Sequence, residues 1–297
     1  MGRNKFQIDF IGIGAEKAGT TWIADCLMEH PEVCFSKEKE VLFFNEYDPH
    51  YLEVQNVKYE EYGMDWYVNQ FAHCSTGAVV GEFSPTYMYD NQAAHRIQTH
   101  FPDTKLLVVL REPSSRAFSQ YIHDQRIGLI KDINFTVALE QFPNYRKKGF
   151  YAEALEQWFD LFPKENIFVT LLDDITERPE AVLKDLFRFL KLRDVDFTPS
   201  VLQTKSNRAQ APRFAFLNYF MMHTEYFLRN NGLSGVHKFL VNSGLRTLAL
   251  KLRDVNSKPL DRYPTIQKDV QQQLQQEYSK DVAKLEELIG RDLNAWK

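Results

Sequence analysis

The chain is 297 residues long, 44% hydrophobic and 26% charged, with a formal net charge of −4. These proportions are those of a soluble globular protein that can bury a full core, with one domain over residues 1–297 the simpler reading than two small ones. The negative balance excludes a generally basic surface for nucleic acid or an anionic membrane, so any anion site must be built locally.

The first residues lead straight into a predicted strand, Phe6 to Ile13, with no apolar signal segment, and no run of about 18 or more apolar residues follows. A cytoplasmic protein with no membrane partner is the expectation. Trp22, Ile23, Cys26 and Leu27 then recur at helical spacing, predicting a helix over Thr21 to Glu29. The turn between strand and helix reads Gly14-Ala15-Glu16-Lys17-Ala18-Gly19-Thr20-Thr21-Trp22. It ends at a helix N-terminus, where unpaired N–H groups and the positive end of the helix dipole favour an anion. A nucleoside-triphosphate P-loop places its lysine directly after the second glycine. Here Thr20 takes that position and Lys17 sits earlier in the loop, which points to a different phosphate ester. A glycine-bearing turn of purely structural use is the plain alternative.

Cys26, Cys34 and Cys74 cannot all pair within one chain and lack zinc-ligand spacing, so reduced, partly buried thiols and no metal are expected. The run Lys37-Glu38-Lys39-Glu40 alone would be a solvated charge patch. Val41-Leu42-Phe43-Phe44 directly after it would anchor the segment in the core and aim Glu40 at a cleft. A helix over Tyr62 to Phe71, a strand over Ala78 to Phe83 and a helix over Gln92 to Thr99 follow. The next strand, Lys105 to Leu110, runs into Arg111-Glu112-Pro113-Ser114-Ser115-Arg116-Ala117-Phe118-Ser119. A P-loop NTPase would hold magnesium with an Asp near such a strand end. This chain has Arg111 there, and Pro113 opens a helix over Ser114 to Arg126 on which Arg116 and Ser119 share a face. Arg111 and Ser119 can converge on a second phosphate; a strand cap or an ion pair is the structural alternative for Arg111. His123, one turn past Ser119, is a second-ranked candidate base.

Helices over Tyr151 to Leu161 and Arg178 to Leu190 bracket a strand over Asn166 to Leu172, with Thr176 as N-cap and Pro179 in the first turn of the last helix. Strands alternating with helices give an α/β fold with a central parallel sheet flanked by helices. Beyond about Asp196 the pattern turns helical, with a variable acceptor-side region over about 210–262. There Phe214 to Leu228 is apolar almost all round, a helix for the core or a pocket wall, with Met222 and Tyr226 as acceptor-pocket candidates. A final helix over Thr265 to Ile289 carries Val270, Leu274, Tyr278, Val282, Leu285 and Leu288 on one stripe.

The pair Glu16-Lys17-Ala18-Gly19-Thr20-Thr21-Trp22 and Arg111-Glu-Pro-Ser-Ser-Arg-Ala-Phe-Ser119-Gln-Tyr121 resembles the two elements by which the sulfotransferase superfamily binds PAPS, 3′-phosphoadenosine 5′-phosphosulfate. Glu40-Val-Leu-Phe-Phe44 is similar to a segment of the glycan-sulfotransferase branch whose glutamate is the catalytic base. Gly81-Glu82-Phe83-Ser-Pro85-Thr-Tyr87 resembles that branch's Glu-Lys-x-Pro-x-Tyr segment, with Phe83 in the lysine position. Gly149-Phe-Tyr151, Leu172-Asp-Asp-Ile175 and Gly290-Arg-Asp-Leu-Asn-Ala-Trp296 resemble bacterial members. The resemblance runs through most of the chain and implies a P-loop-like sulfotransferase fold.

It further implies that Lys17, Ala18, Gly19, Thr20 and Thr21 hold the 5′-phosphosulfate, with Trp22 packed under the nucleotide or simply in the core. Arg111 and Ser119 would take the 3′-phosphate, with Tyr151 and the loop Lys205, Ser206, Asn207, Arg208 near the nucleotide. Lys17 and Glu40 would be catalytic, Glu82 would order its neighbours or the acceptor, and Phe83 would lie toward the acceptor. The expected activity is sulfuryl transfer from PAPS to a hydroxyl or amine of a small, natural-product-like acceptor, releasing PAP without a metal. The missing lysine at Phe83 and the lack of a basic excess count against a polyanionic glycan acceptor. A P-loop kinase, and a non-catalytic nucleotide-binding protein, are the alternatives from other classes; monomer and homodimer stay open.

Overall fold

The structure, a computed structural model, describes residues 6–47, 55–56, 58–131, 133–203, 210–212, 257–259 and 264–297. Lys205 to Arg208, Met222, Tyr226 and the expected helix over Phe214 to Leu228 lie outside the described residues. The chain groups into two compact units. The first comprises Met1–Arg116, Phe150–Ser206 and Gln275–Lys297, the second Ala117–Gly149 and Asn207–Leu274.

The first unit holds five parallel strands: β1 (Phe10–Gly14), β2 (Val33–Phe35), β3 (Val79–Phe83), β4 (Lys105–Leu110) and β5 (Ile167–Leu171). They lie in the order β2-β3-β1-β4-β5. β1 is buried at every position and β4 at all but its first, as expected of parallel strands covered on both faces. From β1 the chain moves outward to β2, returns to β3, then crosses to β4 on the other side of β1. The ladder order thus reverses between β1 and β4, and ligands of open α/β sheets bind beyond the C-terminal ends of the strands at such a point. The Lys17 turn follows β1 and Arg111 follows β4, so both predicted anion elements stand at the reversal.

Helices of this unit are α1 (Thr20–Glu29), α2 (Gly63–Asn69) and α3 (Asn91–His100). The N-terminal turn of α4 (Pro113–Ile127) also belongs here; the helix continues into the second unit, where α5 (Phe135–Gln141) and α6 (Asn144–Lys147) follow. Back in the first unit are α7 (Tyr151–Leu161), α8 (Leu172–Glu177) and α9 (Pro179–Leu190). After a short antiparallel pair in the second unit, β6 (Gln210–Pro212) with β7 (Ser257–Pro259), the chain ends in α10 (Lys268–Ile289). On α10 the expected stripe is buried at Val270, Leu274, Tyr278, Val282 and Leu285. Among the described residues no helix is long and apolar enough to cross a membrane.

Three expectations are corrected. Cys34 and Cys74 are joined by a disulfide, because β2 and the turn after α2 bring their Cα atoms to 5.7 Å, and only Cys26 is a free buried thiol. Thr176 does not cap α9: it lies inside α8, where its hydroxyl donates back to the Leu172 carbonyl at 2.8 Å, as short hydroxyl side chains do within helices. The first strand begins at Phe10 rather than Phe6, and the edge strand β2 and helices α5, α6 and α8 were not foreseen.

Candidate active site

The turn after β1 meets α1 without any side-chain cap. Gly19 precedes the helix at φ 101°, a left-handed conformation open to glycine, and among the described residues no side-chain cap bonds the start of α1. A Cβ at Gly19 would also meet Leu172 Cδ1 at 2.9 Å, so the turn is pressed against α8. Lys17 is itself left-handed, at φ 63°, and half-buried. The turn thus brings together the first N–H groups of α1, the Lys17 ammonium, buried Thr20 and half-buried Thr21.

Arg111 reaches this turn. Its guanidinium donates to the Lys17 carbonyl at 3.3 Å, tying the end of β4 to the loop after β1. The N-terminus of α4, by contrast, is already occupied: the Glu112 carboxylate accepts from the amides of Ser114 at 3.0 Å and Ser115 at 2.8 Å. An anion beside β4 must therefore be met by side chains such as Arg111, whereas at α1 the backbone is open to it. Tyr151 is fully buried and its hydroxyl donates to the Arg111 carbonyl at 2.9 Å, so it holds the strand end and presents no surface to a nucleotide.

Glu40 is exposed, and the residues after it anchor the segment as expected, with Val41, Phe43 and Phe44 fully buried. The segment is irregular, yet side chains satisfy its backbone almost completely. Lys58 Nζ donates to the Val41 carbonyl at 2.6 Å, and Asn56 to that of Leu42. Arg96 donates to the carbonyls of Phe44 at 3.0 Å and Asn45 at 3.2 Å. The N–H groups are taken by Ser84 Oγ, 3.1 Å from Leu42 N, and Tyr87 Oη, 2.9 Å from Phe43 N.

Behind those two hydroxyls lies Glu82, 0% exposed. Its carboxylate accepts from Ser84 at 2.6 Å, Tyr67 at 3.0 Å and Tyr87 at 3.1 Å. Burial pushes its pKa up against the pull of these three bonds, and burial beside Glu82 pushes the Tyr67 and Tyr87 phenols well up, keeping them donors. Phe83 is buried as well, its ring so close over Gly12 that a Cβ there would stand 2.1 Å away. Phe83, expected toward the acceptor, is thus enclosed, and of the two roles expected for Glu82 its contacts are with its neighbours Ser84, Tyr67 and Tyr87.

A sulfotransferase domain matches residues 7–229 of the chain, which includes every element of the site just described. The chain belongs to the sulfotransferase family. It is 22% identical over 311 residues to a membrane-associated sulfotransferase, kil1, of Dictyostelium discoideum, covering 73% of this chain and 64% of that protein. It is 27% identical over 201 residues to the human heparan sulfate glucosamine 3-O-sulfotransferase 6, covering 65% and 55% respectively. The chain therefore spans less than two thirds of the length of either relative. Its fold matches that of a sulfotransferase from Alicyclobacillus acidocaldarius at a TM-score of 0.69, with 24% identity over 98% of this chain and 99% of that one.

Two linear motifs of the chain meet behind the loop. Arg291 donates to both Asp174 oxygens at 3.0 Å, and Trp296 Nε1 to Asp173 at 3.3 Å. Leu172, at the head of the same helix, is the residue against Gly19. Ser119 and His123 are half-buried on the part of α4 in the second unit, where His123 Nδ1 lies 3.2 Å from an Arg126 nitrogen. Sequence reasoning assigned no role to Glu112, Tyr67, Asn56, Lys58 or Arg96. Of these only Glu112, an acid directly before a helix-opening proline, carries a local signal.

Proposed function

We propose that this sulfotransferase transfers the sulfuryl group of PAPS to a hydroxyl or amine, with PAP as the product. The observation that carries the reading is the contact between Arg111 and the Lys17 carbonyl: it unites the open N-terminus of α1 with a second cation, a donor set suited to a ligand with two separated anionic groups. The residues fit that cofactor. The loop amides, Lys17, Thr20 and Thr21 would hold the 5′ end and Arg111 the 3′-phosphate, with Ser119 added on the family resemblance. PAPS supplies an activated sulfuryl group on a phosphate leaving group. Lys17 stabilises charge growing on the departing phosphate oxygen, a contribution of about 10² to 10³ in rate for one preorganised donor. Glu40 takes the proton of the attacking hydroxyl or amine.

For the acceptor we favour a small, weakly charged molecule. In support, Phe83 replaces the lysine of the glycan branch and is packed over Gly12. The second unit also contains a cavity of about 340 Å³, lined by Phe118, Tyr121, Phe135, Asn134 and other residues, none of them charged. A sulfated or uronic glycan is the second reading, favoured by the named substrate of the human relative.

Thermal stability with PAP, ADP or ATP at equal concentration tests the cofactor. At 100 times its dissociation constant a ligand adds about 2.7 kcal/mol. The reading requires a larger shift with PAP than with ADP, diminished in Arg111→Ala; equal shifts for PAP and ADP would remove the 3′-phosphate site. An acceptor screen with PAPS, small phenols and alcohols against heparan-type oligosaccharides, then decides the acceptor class.

A further inference from the structure

We propose that Cys34, His73 and Cys74 form a redox-gated metal site: a disulfide in the oxidised protein and, once that bond is reduced, a set of two thiolates and an imidazole for a divalent ion of the Zn²⁺ class. The ligand atoms of the three residues lie within 4.8 Å of one another, on the half-exposed edge of the sheet. His73 Nε2 stands 3.6 Å from Cys34 Sγ. Tetrahedral zinc, with Zn–S about 2.3 Å and Zn–N about 2.0 to 2.1 Å, requires an S···N edge of about 3.6 Å and an S···S edge of about 3.8 Å. The first edge is already present. The second needs the two sulfurs to separate after reduction by side-chain rotation alone, since a Cα separation of 5.7 Å accommodates either state.

The backbones hold this arrangement without help from the S–S bond. Cys34 is paired with Val80 in the β2–β3 ladder. On the other side, Cys74 N bonds the Phe71 carbonyl at 2.9 Å, and Lys37 N bonds that of Gln70 at 3.0 Å, so strand and turn stay adjacent. The exposed imidazole of His73 adds nothing to a disulfide but completes a soft donor set, leaving solvent as the fourth ligand. Cys26 does not compete: it is fully buried, and burial pushes its thiol up to about 12.

The chemistry balances with a dithiol as reductant. Two electrons and two protons pass to the Cys34–Cys74 bond, giving two thiols while the reductant closes to its own disulfide. Binding of the ion then releases the two thiol protons, and the metal replaces the covalent bond as the tie across the 40-residue separation.

Co²⁺ is the probe, added to the full chain after dithiol treatment and anaerobic desalting. Reduced wild type should gain a thiolate-to-cobalt charge-transfer band at one equivalent, bleached by Zn²⁺, and Zn²⁺ should raise its melting temperature. The oxidised protein, folded and otherwise identical, should gain neither. Cys34→Ser should lose the band, and His73→Ala, which keeps the disulfide, should shift the titration to higher Co²⁺. A reduced wild type that binds no more Co²⁺ than oxidised wild type, or a His73→Ala titration that superimposes on wild type, would reduce the cluster to a plain disulfide.

Discussion

Tyr87 and Glu82 form the hinge of the Glu40 segment: the phenol donates to the buried carboxylate at 3.1 Å and, on its other side, accepts from Phe43 N at 2.9 Å. Ser84 repeats the pattern between Glu82 and Leu42 N. An acceptor-only carboxylate forces both hydroxyls to point their hydrogens inward and their lone pairs at the segment. Glu82→Gln introduces a donor that reverses one of them. Its kcat is expected to fall about tenfold or more, with the PAP-induced thermal shift unchanged, since a hydrogen bond to a charged group is worth about 1.5 to 3 kcal/mol. Steady-state kinetics beside PAP melting separates the two effects.

The same carboxylate predicts a pH effect. Burial raises the folded pKa of Glu82 above its unfolded value, so the folded state binds the proton more tightly. The stability it forfeits is nil below the unfolded pKa and grows as pH rises through the folded one. Relative to wild type, Glu82→Gln should therefore look less destabilised at pH 8 than at pH 5, by urea unfolding at both.

Asp174 behaves oppositely. Burial works against its charge, but the hydrogen bonds from Arg178, Leu171 N and Arg291 outweigh it and hold the pKa below the usual value. Its contribution is present above the unfolded pKa and lost as pH falls through the folded pKa. Arg291→Ala should flatten the acid limb of the stability profile relative to wild type, read from urea midpoints between pH 6 and pH 3.

Gly19→Ala should cost about 1 to 3 kcal/mol, from a left-handed φ and a 2.9 Å approach to Leu172. Because the strain falls on the anion turn, the PAP-induced shift in melting temperature should shrink with it.

Reducing the disulfide under metal-free conditions should lower stability by about 4 kcal/mol, since the bond closes a loop of 40 residues' separation. Urea unfolding with and without dithiol measures this.

Much of this architecture was legible in the chain. β4 is a continuous apolar run because both faces are covered, and α7 and α9 carry clean stripes, so periodicity found them. β2 escaped because three half-buried residues carry no period. The disulfide escaped because an odd cysteine count leaves pairing to geometry that only the fold creates. The positions of the Lys17 turn and of Arg111 could be read locally, since each is a strand end followed by a helix start. The burial of Glu82 could not: its partners Tyr67 and Tyr87 sit 15 and 5 residues away, and a carboxylate's surroundings leave no mark on its own neighbours in sequence.

The contact of Arg291 and Trp296 with α8 makes the segment after α10 a support of the Lys17 turn. Deleting residues 291–297 would leave the sheet intact while withdrawing the backing of Leu172 and hence of Gly19. Loss of that segment should then show first as a smaller PAP-induced rise in melting temperature, with circular dichroism unchanged, so the integrity of residues 291–297 is something to verify by mass before a weakened response is blamed on Lys17 or Arg111.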